Sequence, residues 1–241
     1  MIKLLLVVYT LYVFLIGFLI FAGHYVVASL LTLFQGEKKI QRFYDLAIPF
    51  IKLGFFLLGM RVKVEGEEHI PDSNAIIVCN HQSVLDIVMM MIATPKRITF
   101  FAKKELSKIP FVNGDIKNMG HVFVDRENAR RSAKQLDLMQ AQLDAGRTII
   151  LFPEGTRSTT QELLPFKRGV FVLAARSKKP LLPVYIDGAN KLINKKSFLC
   201  RPGTVTVRFG KPTTEFESLD EKELSKQLKE KLFKDISALK K

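Results

Sequence analysis

Tryptophan is absent from the 241 residues, and cysteine and histidine are scarce, with two of one and four of the other. Cys79 and Cys200 are too few for a disulfide-stapled scaffold and lack metal-ligand spacing, which fits a reducing compartment. His24, His69, His81 and His121 show no zinc pattern, so no metal is expected. The strained G-x-S-x-G turn of serine hydrolases is missing, as are tandem repeats and low-complexity linkers. Acidic residues are in short supply too: 23 against 37 Lys and Arg leave a net charge of +14. Such a chain favours anionic partners, namely phosphorylated lipid, anionic membrane, an acidic carrier or nucleic acid.

Long apolar runs are abundant. From Leu4 to Gly23 no residue is charged, and the apolar character continues to Phe34. About 20 such residues cross a hydrocarbon core of about 30 Å. The run is too long for a secretory signal core and is expected to be retained. A second run, Phe43 to Met60, carries Asp45, Pro49 and Lys52, which suit an interfacial helix better than a span. Lys38, Lys39 and Arg42 between the runs mark the cytoplasmic side. The expectation is a membrane-anchoring helical segment over 1–60 and an α/β domain over 61–241, located at the cell membrane with the α/β domain in the cytoplasm. One span, a hairpin and a half-buried helical pair all satisfy the pattern.

Beyond Arg61 short apolar runs alternate with polar turns. Strands are expected at "RVKVEG", "AIIVCN", "ITFFAK", "HVFVDR", "TIILFPE", "LLPVYIDG" and, near an edge, "TVTVRFG". Helical patterns fall at Val84 to Ala93, Glu127 to Leu143 and Gly169 to Ser177. A final amphipathic stripe runs through Leu219, Leu224, Leu228, Leu232, Ile236 and Leu239. Strands alternating with helices predict an α/β fold whose mostly parallel sheet is covered by helices.

Four of the strands end in polar groups an apolar strand does not need: Asn80-His81, Lys103-Lys104, Asp125-Arg126 and Glu154-Gly155-Thr156-Arg157. In a parallel sheet these ends share the ligand-binding edge. Ser83 and Asp86 match a capping box, which accounts for Ser83 but not for Asn80-His81. With the helix starting at Ser83, His81 lies in the preceding turn and folds back toward Asp86. A carboxylate there fixes one imidazole tautomer and leaves the other nitrogen basic. Cys79, inside a buried strand, reads as a small hydrophobe, so the nucleophile is expected to be a substrate hydroxyl. Gly155 admits close backbone approach to an anion, and Arg157 offers a planar fork for phosphate, joined on the same edge by Lys103, or by Lys104 if that side chain faces the crevice, and by Arg126. Glu154 is expected to position glycerol hydroxyls or an arginine. Val88, Met89, Met90 and Met91 are candidates for an apolar channel, though a core role fits each better.

These residues fall into four ordered blocks: Asn80, His81 and Asp86; Gly120, Phe123, Asp125 and Arg126; Phe152 to Arg157; and "LLPVYIDG". Together with Ala102 to Leu106 they cover roughly Val62 to Gly210. In this the chain resembles the 1-acylglycerol-3-phosphate acyltransferases, the PlsC-like branch of the glycerolipid acyltransferase family. The resemblance implies acyl transfer from acyl-CoA or acyl-carrier protein to the 2-hydroxyl of lysophosphatidic acid, giving phosphatidic acid. His81 and Asp86 would be catalytic. Lys103, Arg126 and Arg157 would hold the phosphate, and Glu154, Gly155 and Thr156 would position substrate or the oxyanion. No cofactor beyond the acyl donor and no nucleic acid is implied, and membrane lipids are the expected surroundings. Two rivals are acylation of glycerol 3-phosphate or another lysophospholipid, and a basic adaptor that binds anionic lipid without turnover.

Overall fold

A computed structural model describes residues 2–34, 38–124, 132–160, 162–193, 199–214 and 220–240. Two antiparallel helices lead the chain, α1 (Ile2–Leu31) and α2 (Lys39–Leu57). The tyrosine hydroxyls of Tyr9 and Tyr12 donate to the Leu58 and Leu57 carbonyls at 2.6 and 3.1 Å, closing one end of the pair. At the other end His24 of α1 meets the Phe43 carbonyl at 3.1 Å. Pro49 sits inside α2 without ending it.

Seven strands follow: β1 (Met60–Glu65), β2 (Ile76–Cys79), β3 (Ile98–Lys103), β4 (Val122–Val124), β5 (Thr148–Leu151), β6 (Leu181–Asp187) and β7 (Gly203–Phe209). They form one sheet in the order β1-β7-β6-β2-β5-β3-β4. The five strands from β6 to β4 are parallel, and β7 pairs antiparallel with β6 but parallel with β1. The expected covered, mostly parallel sheet is present, with "TVTVRFG" second from one edge and "RVKVEG" as that edge. Because β1 and β7 run in reverse, their first residues share an edge with the carboxyl ends of the other five.

Six further helices are α3 (Asp86–Ala93), α4 (Val112–Asn118), α5 (Ser132–Asp144), α6 (Gly169–Ser177), α7 (Ala189–Leu192) and α8 (Glu221–Ala238) among the described residues. Residues of α1 to α4 and α7 pack on one face of the sheet and those of α5, α6 and α8 on the other. Leu224, Leu228, Leu232 and Ile236 of α8 are buried, as their spacing predicts, and Leu219 lies outside the described residues. Met89, Met90 and Met91 are core and Val88 packs against it, the role that fitted each better than a channel wall.

Among the boundaries that differ from expectation, two bear on the site. The helix predicted from Val84 starts at Asp86, because its first turn is tightened: the Asp86 N–H reaches the Ser83 carbonyl, three residues back, at 3.4 Å. The strand predicted to run to Glu154 stops at Leu151, and the Gly155 N–H turns back to the Phe152 carbonyl at 3.1 Å. The start of the helix expected over Glu127 to Leu143, along with Asp125 and Arg126, lies outside the described residues.

Candidate active site

The His81 turn is built by three polar clasps. First, the Asn80 side chain behaves as an extra peptide unit between β2 and β6. Its amide donates to the Ile186 carbonyl at 2.9 Å and its oxygen accepts from the Ile186 N–H at 2.6 Å. Second, Asp86 Oδ2 accepts from the Gln82 and Ser83 N–H groups at 2.7 and 2.9 Å and from His81 Nδ1 at 2.7 Å. Asp86 thus supplies the back-reaching half of a capping box and also holds the imidazole. Ser83 Oγ accepts from the Leu85 N–H at 3.3 Å, one residue short of the reciprocal partner. Third, Glu154 Oε1 accepts from the His81 N–H at 2.8 Å, while the His81 carbonyl accepts from the Ser158 N–H at 2.7 Å.

The resulting geometry is that of a base and its orienter. Asp86 is fully buried, and three N–H donors on one oxygen stabilise its charge there. With Nδ1–H directed at Asp86, the basic lone pair of His81 is on Nε2. Among the described residues Nε2 has no hydrogen-bond partner, and the side chain keeps 13% exposure, enough for a substrate atom to reach it. The ring stacks on Phe152 at a centroid distance of 4.2 Å and 21°.

The second loop, Phe152 to Arg157, does not place every group as expected. Glu154 is turned inward: its two oxygens take the His81 and Leu164 N–H groups at 2.8 and 3.0 Å, and it is 3% exposed. With both oxygens on backbone N–H groups, Glu154 ties the His81 turn to the segment around Leu164. Burial raises its carboxyl above the usual range, against the two N–H donors, and Asp86 adds to the rise. The Gly155 N–H, a candidate oxyanion donor, is already bonded within its turn. Gly155 itself has φ +69, a conformation that favours glycine. Thr156 is exposed and Arg157 half-buried.

Lys103 ends β3, two strands from β2 and so about 10 Å along the edge. Its ammonium is exposed, 3.6 Å from Glu105, and Lys104 opens the 3-10 turn that follows. The fold therefore gathers His81, Asp86, Lys103, Glu154, Gly155, Thr156 and Arg157 at adjacent strand ends; Arg126 lies outside the described residues. Cys79 is wholly buried, and burial, then Asp86 and Glu154, push its thiol pKa well up, which makes it no nucleophile.

One feature of this edge escaped the sequence reading. An open cavity of about 770 Å³ lies between α2, α3 and the starts of β1 and β7, with Phe55, Phe56, Val62 and Ile92 in its walls and Lys52 and Arg61 at its sides. Its residues come from four elements and share no motif. The only signal in the sequence was the aromatic pair ahead of Gly59.

Comparison with known proteins gives a consistent result. The acyltransferase family model matches residues 61–187, more than half the chain. The 1-acyl-sn-glycerol-3-phosphate acyltransferase of Saccharomyces cerevisiae is 35% identical over 190 residues, 78% of this chain and 62% of that protein. The protein of the same name from Cocos nucifera is 33% identical over 158 residues, 65% of this chain and 51% of its own length. This chain thus spans less than two thirds of the length of either. The crystal structure of the 1-acyl-sn-glycerophosphate acyltransferase from Thermotoga maritima superposes with a TM-score of 0.85 at 32% identity, covering 100% of this chain and 98% of that one. By the family match, and by relatives that share both sequence and fold, this chain belongs to the acyltransferase family.

Proposed function

We propose that the chain moves a fatty acyl group from an acyl thioester, acyl-CoA or acyl-carrier protein, to the sn-2 hydroxyl of lysophosphatidic acid, giving phosphatidic acid. The observation that carries this reading is the 2.7 Å contact between His81 Nδ1 and buried Asp86, which leaves Nε2 as a base. Nε2 takes the hydroxyl proton as the oxygen attacks the thioester carbonyl carbon. A C–O bond forms, the C–S bond breaks, and the departing thiolate recovers the proton from Nε2 as a thiol. General-base assistance of this kind contributes on the order of 10² to 10⁴ in rate. The proton transfer calls for no cofactor beyond the acyl donor.

Lys103, Arg157 and Arg126 hold the substrate phosphate in this reading. The cavity beside Phe55 and Ile92 takes the fatty chain, where burial favours each methylene by about 0.8 kcal/mol. Residues 1–60 anchor the enzyme to the membrane and 61–241 form the catalytic domain, on the cytoplasmic side as Lys38, Lys39 and Arg42 indicate. In support, α1 is long and apolar enough to cross a membrane and presents Leu4, Leu11, Phe14, Leu15 and Leu30 to the exterior. A basic surface suits an acidic carrier and anionic headgroups.

The test is transfer of labelled acyl groups by the full chain in detergent, pairing each donor with lysophosphatidic acid, glycerol 3-phosphate and other lysophospholipids. Lysophosphatidic acid is expected to be preferred, and His81→Ala to lower turnover by at least about 10²-fold while substrate still binds. Absence of transfer to lysophosphatidic acid overturns the acceptor. Full turnover by His81→Ala removes His81 from the step.

A further inference from the structure

The phosphate-holding set read from the strand ends omits Lys167, which lies in the segment leading into α6. The Lys167 N–H donates to the Pro153 carbonyl at 2.8 Å, and the Leu164 N–H donates to Glu154 at 3.0 Å, so residues 164–167 are laced onto the Phe152 to Arg157 loop. From that footing the lysine side chain crosses Gly155. A Cβ placed on Gly155 would come within 2.6 Å of both Lys167 Cε and Nζ. The φ of +69 favours glycine at 155, and the end of the lysine side chain fills the space that a Cβ there would take. The next residue back, Glu154, grips the His81 N–H at 2.8 Å, which puts the ammonium beside the catalytic turn.

Stability does not account for this placement. Lys167 and Arg168 stand at the N-terminal end of α6, where Arg168 is an N-cap without a side-chain cap bond and the first turn has no acidic residue. Two cations at the positive end of a helix dipole are unfavourable. A local rule broken without a compensating contact among the described residues marks a position kept for function. The Gly155 N–H is spent on the Phe152 carbonyl, so this part of the loop presents its positive charge through Lys167.

We propose that Lys167 is a further substrate-binding residue, whose ammonium pairs with a phosphate oxygen of the substrate held beside His81. This rests on the acyltransferase reading and adds a member to that site. The ligand chemistry is phosphate, from either the monoester of lysophosphatidic acid or the phosphopantetheine arm of the acyl donor.

Steady-state transfer by the full chain, with each substrate varied in turn, separates the two sources. Lys167→Met is expected to raise the KM of one substrate by about tenfold with kcat little changed, the mark of lost substrate binding. Lys167→Arg, which keeps the charge, is expected to restore most of the loss. A rise for lysophosphatidic acid assigns its monoester, and a rise for the thioester assigns the donor. Unchanged KM for both substrates in a Lys167→Met variant with wild-type unfolding overturns the proposal, as does a loss that Lys167→Arg shares in full. Failure of the acyltransferase reading itself would look different, since the unmodified chain would then transfer nothing.

Discussion

At the scale of single residues, the same burial that would penalise a lone polar group gives Asp86 and His121 opposite fates. Asp86 Oδ2 takes three N–H donors, leaving only Oδ1 without one, whereas neither ring nitrogen of His121 finds a partner among the described residues. Burial, with Arg147 adding to it, lowers the His121 pKa from 6.5 to about 3. The folded value lies below the unfolded one, so the unfolded chain binds more protons between them. Stability from neutral His121 is full above the unfolded value and is lost as pH falls toward the folded one. At pH about 5 the expected loss is about 2 kcal/mol. His121→Phe, whose ring can keep the tilted contact with Phe100 at 3.9 Å, is expected to remove that part of the pH dependence. Denaturant unfolding in detergent at pH about 7.5 and about 5 measures it; an equal acid loss in both proteins counts against the assignment.

The His81–Asp86 relation was legible in the sequence because five residues around a helix start can fold onto themselves. Which way Glu154 points was not legible. Position at a strand end says which edge a residue occupies, but the turn after β5 decides whether its carboxylate faces substrate or backbone.

At the scale of elements, the Asn80 amide replaces a rung of the ladder where β2 ends and the His81 turn begins. Asn80→Ala leaves the Ile186 N–H and carbonyl without that partner in a buried site. Each unsatisfied group costs about 1–3 kcal/mol, so a loss of at least about 2 kcal/mol is expected, together with reduced turnover as the turn loosens. Chemical unfolding and acyl-transfer assays on one preparation test this, and a stability change below about 0.5 kcal/mol would show that Asn80 serves something else. Element types were largely readable, because period-2 and period-3.6 patterns reflect one-face burial directly. The reversed direction of β1 and β7 was not, since a strand's apolar pattern is the same read either way.

At the scale of the whole molecule, the apolar helical pair is fastened to the α/β body by a buried histidine–carboxylate contact. His24 Nδ1 lies 2.9 Å from Asp115 Oδ1 in α4, with side chains 4% and 0% exposed, while its other ring nitrogen meets the Phe43 carbonyl of α2. Tyr25 adds edge contacts to Phe43 and Phe111 at 6.3 and 5.8 Å. Breaking one partner of such a pair costs about 3–5 kcal/mol, whereas replacing both by apolar groups of similar size is often neutral. Asp115→Ala is accordingly expected to destabilise the chain by about 3 kcal/mol, and His24→Leu with Asp115→Leu to recover most of it. Unfolding of the three proteins in one detergent checks the pattern. A single variant as stable as the unmodified chain would mean that the helices are held by their apolar contacts alone.

Composition and local spacing by themselves determined the apolar leader, the α/β class, the edge where the polar strand ends gather and the pairing of His81 with Asp86. Each follows from short-range periodicity or from a turn of a few residues. Tertiary structure alone decided the inward carboxylate of Glu154, the lysine across Gly155, the cavity beside α2 and the clasp between His24 and Asp115. Those depend on which segments, distant along the chain, come to share a surface, and packing between elements sets that.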